Sequence, residues 1–218
     1  MENWGQTILI AAVVIVLGWF AFGISWNLRR GNAVLRWMQD GLPQLGERTT
    51  LRWLGSSAVE MTIAKPRSPF RQITLLMILE PRDLPWFWLI ARAQRRRDML
   101  IIRAQLQTAP LYEFDLVAPH AWDESQRSGK PEAQQWTNEP LDELNFRAPL
   151  TTRSLSRAIA VDALPPARQV HPIVWRLSAR RDDPQLELHT PLPNLRTTDA
   201  GQFFKALRTL GEQMSKRS

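Results

Sequence analysis

Residues 7–26 (TILIAAVVIVLGWFAFGISW) form a run of twenty residues without a formally charged side chain. As a helix rising about 1.5 Å per residue, this run would measure about 30 Å, which is the thickness of the hydrocarbon core of a bilayer. Eleven of its residues are Ile, Leu, Val or Phe, and together they favour insertion by about 3 to 7 kcal/mol. Trp4 and Trp26 bracket the run, where indole rings suit the lipid headgroups. The sequence therefore predicts one transmembrane helix over residues 7–27.

A cleaved signal peptide is the closest alternative to a permanent anchor. Signal peptides combine a basic N-terminal region, a shorter apolar core and small residues before the cleavage site. Here Glu2 is the only charged side chain before the run, and the run ends in Gly-Ile-Ser-Trp without an Ala-x-Ala site. These departures favour an uncleaved anchor.

The basic residues next to the run indicate its orientation. Arg29, Arg30 and Arg36 follow it closely, whereas no Lys or Arg precedes it. Because cytoplasmic flanks carry an excess of basic residues, residues 1–6 are expected to be a short extracytoplasmic tail and the C-terminal part to be cytoplasmic. We therefore expect a single-pass protein of the cell membrane. The absence of Cys agrees with a reducing compartment without establishing it.

The chain after the run has the patterns of a mainly antiparallel β domain. We expect a juxtamembrane helix or linker over 28–47, whose helix ends near Gly41, followed by one α+β domain over 48–218. Residues 72–79 are apolar on both faces and predict a central, doubly covered strand. Several other segments alternate apolar and polar residues with a period of two, as strands with one buried face do. These segments are 58–64, 99–107, 112–116, 173–177 and 186–188.

An amphipathic helix is predicted at the C-terminal end, over residues 198–214, because its large apolar residues share one stripe. Residues about 120–145 have weak apolar periodicity and many polar residues and Pro, which predicts a mobile loop. Antiparallel strands closed by a C-terminal helix resemble the pleckstrin-homology-like architecture in their element order, over residues 48–214. This resemblance implies a fold and no function. The apolar stripe of the predicted C-terminal helix consists of Phe203, Leu207, Leu210 and Met214.

The segment 83–97 (DLPWFWLIARAQRRR) joins an aromatic and aliphatic cluster to several arginines. A second membrane span over 73–91 is excluded, because its apolar residues offer about 3 to 5 kcal/mol, whereas Glu80, Arg82 and Asp83 near its middle would cost about 8 to 10 kcal/mol. Two interpretations stay open: a helix lying in a membrane interface, or an ordinary packed helix with a solvated end. The candidate membrane-interface residues of this segment and of the flank of the span are Arg29, Arg30, Trp37, Trp86, Phe87, Trp88, Arg92, Arg95, Arg96 and Arg97.

Charge is distributed unevenly along the chain, which has a formal net charge of +7 and a pI of about 10.9. Basic residues dominate 29–103 and 146–218, and acidic residues dominate 104–145. These blocks neutralise one another in the fold, or else the basic blocks form a binding face. No nucleic-acid recognition motif is present, and no strand interleaves aromatic with basic residues. We therefore do not expect a nucleic-acid partner.

The sequence contains no recognisable catalytic or cofactor-binding motif. It has no Cys nucleophile, and His120, His171 and His189 lack the spacing of metal ligands. We therefore expect no catalytic residue, no metal and no cofactor. The sequence favours a membrane-anchored scaffold or binding module whose partners are the anionic inner leaflet and a protein. The alternative is a membrane-bound enzyme, or enzyme subunit, with a composite site assembled by the fold.

Overall fold

The computed structural model describes residues 3–46, 48–119 and 136–215. Over these residues the protein has an α+β fold, with a long apolar N-terminal helix, a nine-stranded antiparallel sheet and a C-terminal helix. The predicted fold class is therefore confirmed. Two further helices lie between the strands. The four helices are α1 (Asn3–Gly41), α2 (Pro85–Ala93), α3 (Arg153–Val170) and α4 (Ala200–Ser215).

Helix α1 is continuous over 39 residues and contains both the charge-free run and the predicted juxtamembrane helix. Its apolar side chains are largely exposed up to Trp26, whereas from Asn27 onward one stripe is buried against the domain. The helix ends at Gly41, as expected, because a short 3-10 turn containing Pro43 follows. One helix thus has an exposed apolar half and a half that belongs to the domain core.

The nine strands form one sheet in the order β1-β2-β3-β4-β9-β8-β5-β7-β6, with every neighbouring pair antiparallel. The first four strands are a meander, and α2 lies in the connection between β3 and β4. The strands are β1 (Thr49–Trp53), β2 (Ala58–Ile63), β3 (Phe70–Ile78), β4 (Met99–Leu106), β5 (Phe114–Val117), β6 (Trp136–Leu141), β7 (Leu144–Pro149), β8 (Arg176–Ala179) and β9 (Leu186–Pro191).

The hydrophobic core lies between one face of the sheet and the helices α1, α3 and α4. The other face carries a polar row, which runs from Thr74 through Arg103 and Glu187 to Ser178 on neighbouring strands. Strand β3 is buried on its inner face alone, and Leu76 on its outer face is half-buried. The expectation of a doubly covered strand at 72–79 is therefore wrong, because no second layer covers β3 among the described residues.

Only the end of the loop predicted at about 120–145 lies within the described residues. Residues 120–135 lie outside the described residues, whereas residues 136–145 form β6, a turn at 142–143 and the beginning of β7. Helix α3 was not predicted either. Three of its six buried residues are alanines (Ala160, Ala163 and Ala167), which produce little hydrophobic periodicity. In the sequence, its two internal prolines, Pro165 and Pro166, also argue against a helix.

Candidate membrane interface

The connection between β3 and β4 packs against α1 within the charge-free run. Trp19 Nε1 donates a hydrogen bond of 3.0 Å to the carbonyl oxygen of Arg82, and Asn27 Nδ2 donates one of 3.1 Å to the carbonyl oxygen of Glu80. Between these two residues lies Gly23, where a Cβ atom would clash with the Arg82 carbonyl. A spacing of four residues places all three on one side of α1. This docking stripe (Trp19, Gly23 and Asn27) therefore begins inside the predicted span.

Helix α2 turns one side toward α1 and leaves an apolar side exposed. Trp88 faces α1: its ring centroid lies 6.2 Å from that of Trp19, and its Nε1 donates a 2.8 Å hydrogen bond to Glu80 Oε2. The outer side chains of α2, by contrast, are each about half exposed. They are Trp86 (49%), Phe87 (53%), Leu89 (59%) and Ile90 (51%). The structure thus places these apolar side chains beside the apolar half of α1.

A polar network, buried except at Arg30, joins both ends of this connection to α1. Arg82 donates hydrogen bonds to Asn27 Oδ1 (3.1 Å) and to both carboxylate oxygens of Asp98 (3.0 and 3.2 Å). Asp98 also accepts hydrogen bonds from Arg30 Nε (2.5 Å) and from the main-chain N–H of Glu80 (2.8 Å). We call these five residues the anchor network. Every charge in it has an opposite partner, which a site of low dielectric requires.

The environment of Asp98 favours its ionised form. Burial by itself raises the pKa of Asp98, but the hydrogen bonds from Arg82 and from the Glu80 N–H oppose that effect. With the positive charges of Arg82 and Arg30, they hold the pKa below its usual value of 3.8. Asp98 is therefore a carboxylate at neutral pH and fixes the two arginines around it.

The arginines at the C-terminal end of α2 are exposed. Arg92 lies over the Trp88 ring, with its guanidinium carbon 5.4 Å from the ring centroid. Arg95 has a φ of 58°, in the left-handed region where glycine is usual. Its N–H bonds to Arg92 O (3.1 Å), and the N–H of Arg96 bonds to Ala91 O (2.9 Å), which is the Schellman pattern of a helix end. This turn holds Arg95 and Arg96 outside the domain core.

The structure separates the remaining candidate residues. Arg29 is exposed on α1 beside the network, and Arg97 is exposed just before β4. Trp37 lies elsewhere: only 9% of it is exposed, and its Nε1 donates a 2.7 Å hydrogen bond to Thr198 O. Its ring also packs edge-on against Phe203 of α4, at 5.2 Å. The expectation that Trp37 contacts a membrane is corrected, because position 37 belongs to the buried stripe of α1.

Sequence reasoning missed the docking stripe and Asp98. One available signal was the spacing of Trp19, Gly23 and Asn27, which puts a ring donor, a small residue and an amide on one helix face. The other available signal was the pair Glu80 and Arg82, whose charges exclude a second membrane span at this position. In the structure these two residues form the anchor network instead.

Another charged cluster lies on the outer face of the sheet. Glu187 lies 3.0 Å from Arg103 Nε and 2.9 Å from His189 Nε2, and Arg176 forms two 3.0 Å hydrogen bonds with Asp115. Burial raises the pKa of Glu187, but the hydrogen bond and charge of His189, together with Arg176 and Arg103, lower it to about 2. These contacts hold charges on adjacent strands together. In the described part of the chain, no group of three His, Asp or Glu residues is arranged to hold a metal.

Comparisons with known proteins give no family. No protein-family model matches the chain, and no curated protein matches it. Function is therefore argued from the geometry of the site. Among the described residues, α1 with its following turn is the one helix long and apolar enough to cross a membrane, and its most apolar part is almost entirely exposed.

Proposed function

We propose that this protein is a single-pass membrane protein whose C-terminal α+β domain acts as a scaffold or binding module at the inner surface of the cell membrane. The continuity of α1 carries this proposal. A single helix supplies the apolar, exposed segment and then enters the domain core without a linker. Exposed apolar area of this extent on a helix suits contact with lipid.

A continuous helix and the docking stripe would hold the domain at a fixed height and angle above the bilayer. A flexible linker would let the domain sample many orientations. Here, contacts at Trp19, Gly23 and Asn27 and the anchor network restrain it. A restrained orientation of this kind suits a domain that presents one surface to a partner near the membrane.

The charge of the membrane-proximal end fits an anionic inner leaflet. Arg29, Arg92, Arg95, Arg96 and Arg97 are exposed near the apolar half of α1 or at the end of α2. Each basic side chain near an anionic surface contributes about 1 kcal/mol of attraction. The half-exposed side chains of α2 add an apolar contribution, and the two together satisfy the two-signal requirement for stable membrane contact.

Single-cysteine labelling tests the topology, because the chain has no native Cys. In intact cells, Asp182→Cys in the exposed turn before β9 should resist a membrane-impermeant thiol reagent and react after lysis. Glu2→Cys should react without lysis. Labelling of position 182 in intact cells would overturn the cytoplasmic placement.

Affinity purification with a cross-linker from detergent extracts tests the binding role. We expect recovery of a stoichiometric protein partner with the wild type. A Gly23→Ala variant, in which the contact between α1 and the Arg82 carbonyl is disturbed, is purified from a parallel extract as the control. Purification of the wild-type chain without any cross-linked protein would count against a binding module.

A further inference from the structure

We propose that α2 is a re-entrant helix embedded in the cytoplasmic leaflet, where its outer side chains contact lipid acyl chains at the depth of residues 16–22 of α1. The inference rests on the proposed membrane anchoring and adds the depth and lipid contact of α2. An ordinary interfacial helix, by contrast, lies nearer the headgroups than the position proposed here for α2.

The length of α1 supplies the first argument. The domain begins to contact α1 at Trp19, so only residues 7–18 of the charge-free run project freely beyond it. Twelve residues span about 18 Å, whereas the hydrocarbon core is about 30 Å thick. The remaining roughly 12 Å of hydrocarbon must therefore border residues 19–26 of α1 together with α2.

The path of the chain supplies the second argument. Residues 80–98 leave and re-enter the domain at the anchor network, since the Glu80 N–H bonds to Asp98 Oδ1 and Asp98 pairs with Arg30. Between these points α2 packs at Trp19, which lies eight residues, or about 12 Å along α1, from Asn27 toward the N-terminus. The connection therefore rises from a charged layer into the apolar level and returns.

The polarity of the two sides of α2 agrees with an embedded position. Polar groups at membrane depth must be paired within the protein. Both indole N–H groups between α1 and α2 are paired, Trp19 with Arg82 O and Trp88 with Glu80 Oε2. The outer side carries apolar residues, and the guanidinium of Arg92 lies over the Trp88 ring. Because this side continues the apolar surface of α1, acyl chains are its occupant.

Depth measurement by electron paramagnetic resonance tests the inference on the full chain in vesicles of phosphatidylcholine and phosphatidylglycerol. Nitroxide labels are placed singly at Phe87→Cys, Phe20→Cys and Arg29→Cys, with Asp182→Cys as the aqueous reference. We expect the label at 87 to be more accessible to oxygen than to a nickel chelate. Its depth should agree with that at 20 within about 5 Å, one helical turn, and exceed that at 29. Leu89→Cys repeats the measurement from a second outer position, and circular dichroism verifies the fold of each variant.

Each outcome decides between the proposals. A label at 87 with the accessibility of position 182, while position 20 is in lipid, would overturn the inference and leave the membrane anchoring intact. Aqueous accessibility at both 20 and 87 would overturn the anchoring as well. Dipolar broadening between labels at 87 would show that a second copy covers α2, and this too would overturn lipid contact.

Discussion

Gly23 of α1 lies directly against the main-chain carbonyl of Arg82, in a space where any other side chain would clash. This close approach lets Trp19, one turn before, and Asn27, one turn after, bond to the same connection. A glycine inside a helix costs about 1 kcal/mol relative to alanine, so a packing reason is needed for it. Here that reason is the junction between the apolar helix and the domain.

Gly23→Ala should strain this junction. The added methyl group meets the Arg82 carbonyl rather than a flexible side chain, so α1 or the connection must move. We expect a loss of about 1–3 kcal/mol in the free energy of unfolding, measured by urea denaturation in detergent. Gly18→Ala is the matched control, because nothing lies within 4 Å of a Cβ at that position. Equal effects of the two substitutions would contradict the docking of α1.

Asp98→Asn should destabilise the domain because it removes the negative charge that neutralises Arg82 and Arg30. Arg30 is 45% exposed and stays solvated, but Arg82 is only 20% exposed and would keep Glu80, at 3.5 Å, as its carboxylate partner. We expect a loss of about 3 kcal/mol at neutral pH. Glu212→Gln removes an exposed pair with Arg208 and should change stability by less than about 0.5 kcal/mol. Similar losses in both variants would show that the anchor network has no special role.

Glu187 should make part of the stability depend on pH. Because its pKa in the fold is lowered from 4.5 to about 2, its ionised form stabilises the folded state. This stabilisation is complete above about pH 4.5 and is lost as the pH falls through about 2. The separation of the two pKa values corresponds to about 3 kcal/mol. Urea unfolding across this window should show a smaller pH dependence in Glu187→Gln than in the wild type, and an unchanged slope would refute the assignment.

Arg95→Gly should stabilise the end of α2 while removing a charge. The left-handed conformation of Arg95 costs a non-glycine residue about 1 kcal/mol, which glycine avoids. We expect a gain of up to about 1 kcal/mol in unfolding free energy, partly offset by the greater freedom of glycine in the unfolded chain. Arg97→Gly removes the same charge at a residue without positive φ and should not stabilise. Equal stability changes in the two variants would argue against strain at Arg95.

The arginines of α2 should control binding to anionic vesicles. A fragment of residues 27–218, which retains Asn27 and the buried half of α1, should float with phosphatidylglycerol vesicles, and less at high salt because exposed charges are screened. Replacing Arg92, Arg95, Arg96 and Arg97 with Gln should abolish most binding without unfolding the domain, as exposed substitutions cost within about 0.5 kcal/mol. Circular dichroism verifies the fold. Equal binding to neutral and anionic vesicles would contradict an electrostatic contribution.

Local patterns predicted several elements well. Strands β2 and β4 coincide with the alternating segments at 58–64 and 99–107, and Phe203 and Leu207 of the C-terminal helix are buried as expected. Strand β6 and helix α3 were missed because their segments have weak hydrophobic periodicity. A pattern reports burial only where the buried side chains are large and regularly spaced.

The sequence by itself determined an apolar helix of membrane length, the alternation of the principal strands and the aromatic and basic composition of 83–97, because these properties depend on neighbouring residues. The tertiary structure decided which side of each helix is covered. It buried Trp37 against α4, turned Trp88 inward and left Trp86 and Phe87 exposed. It also brought Gly23 to Arg82 and Arg30 to Asp98. Such contacts join residues far apart in the chain, and packing and charge neutralisation select them only when the whole domain has formed.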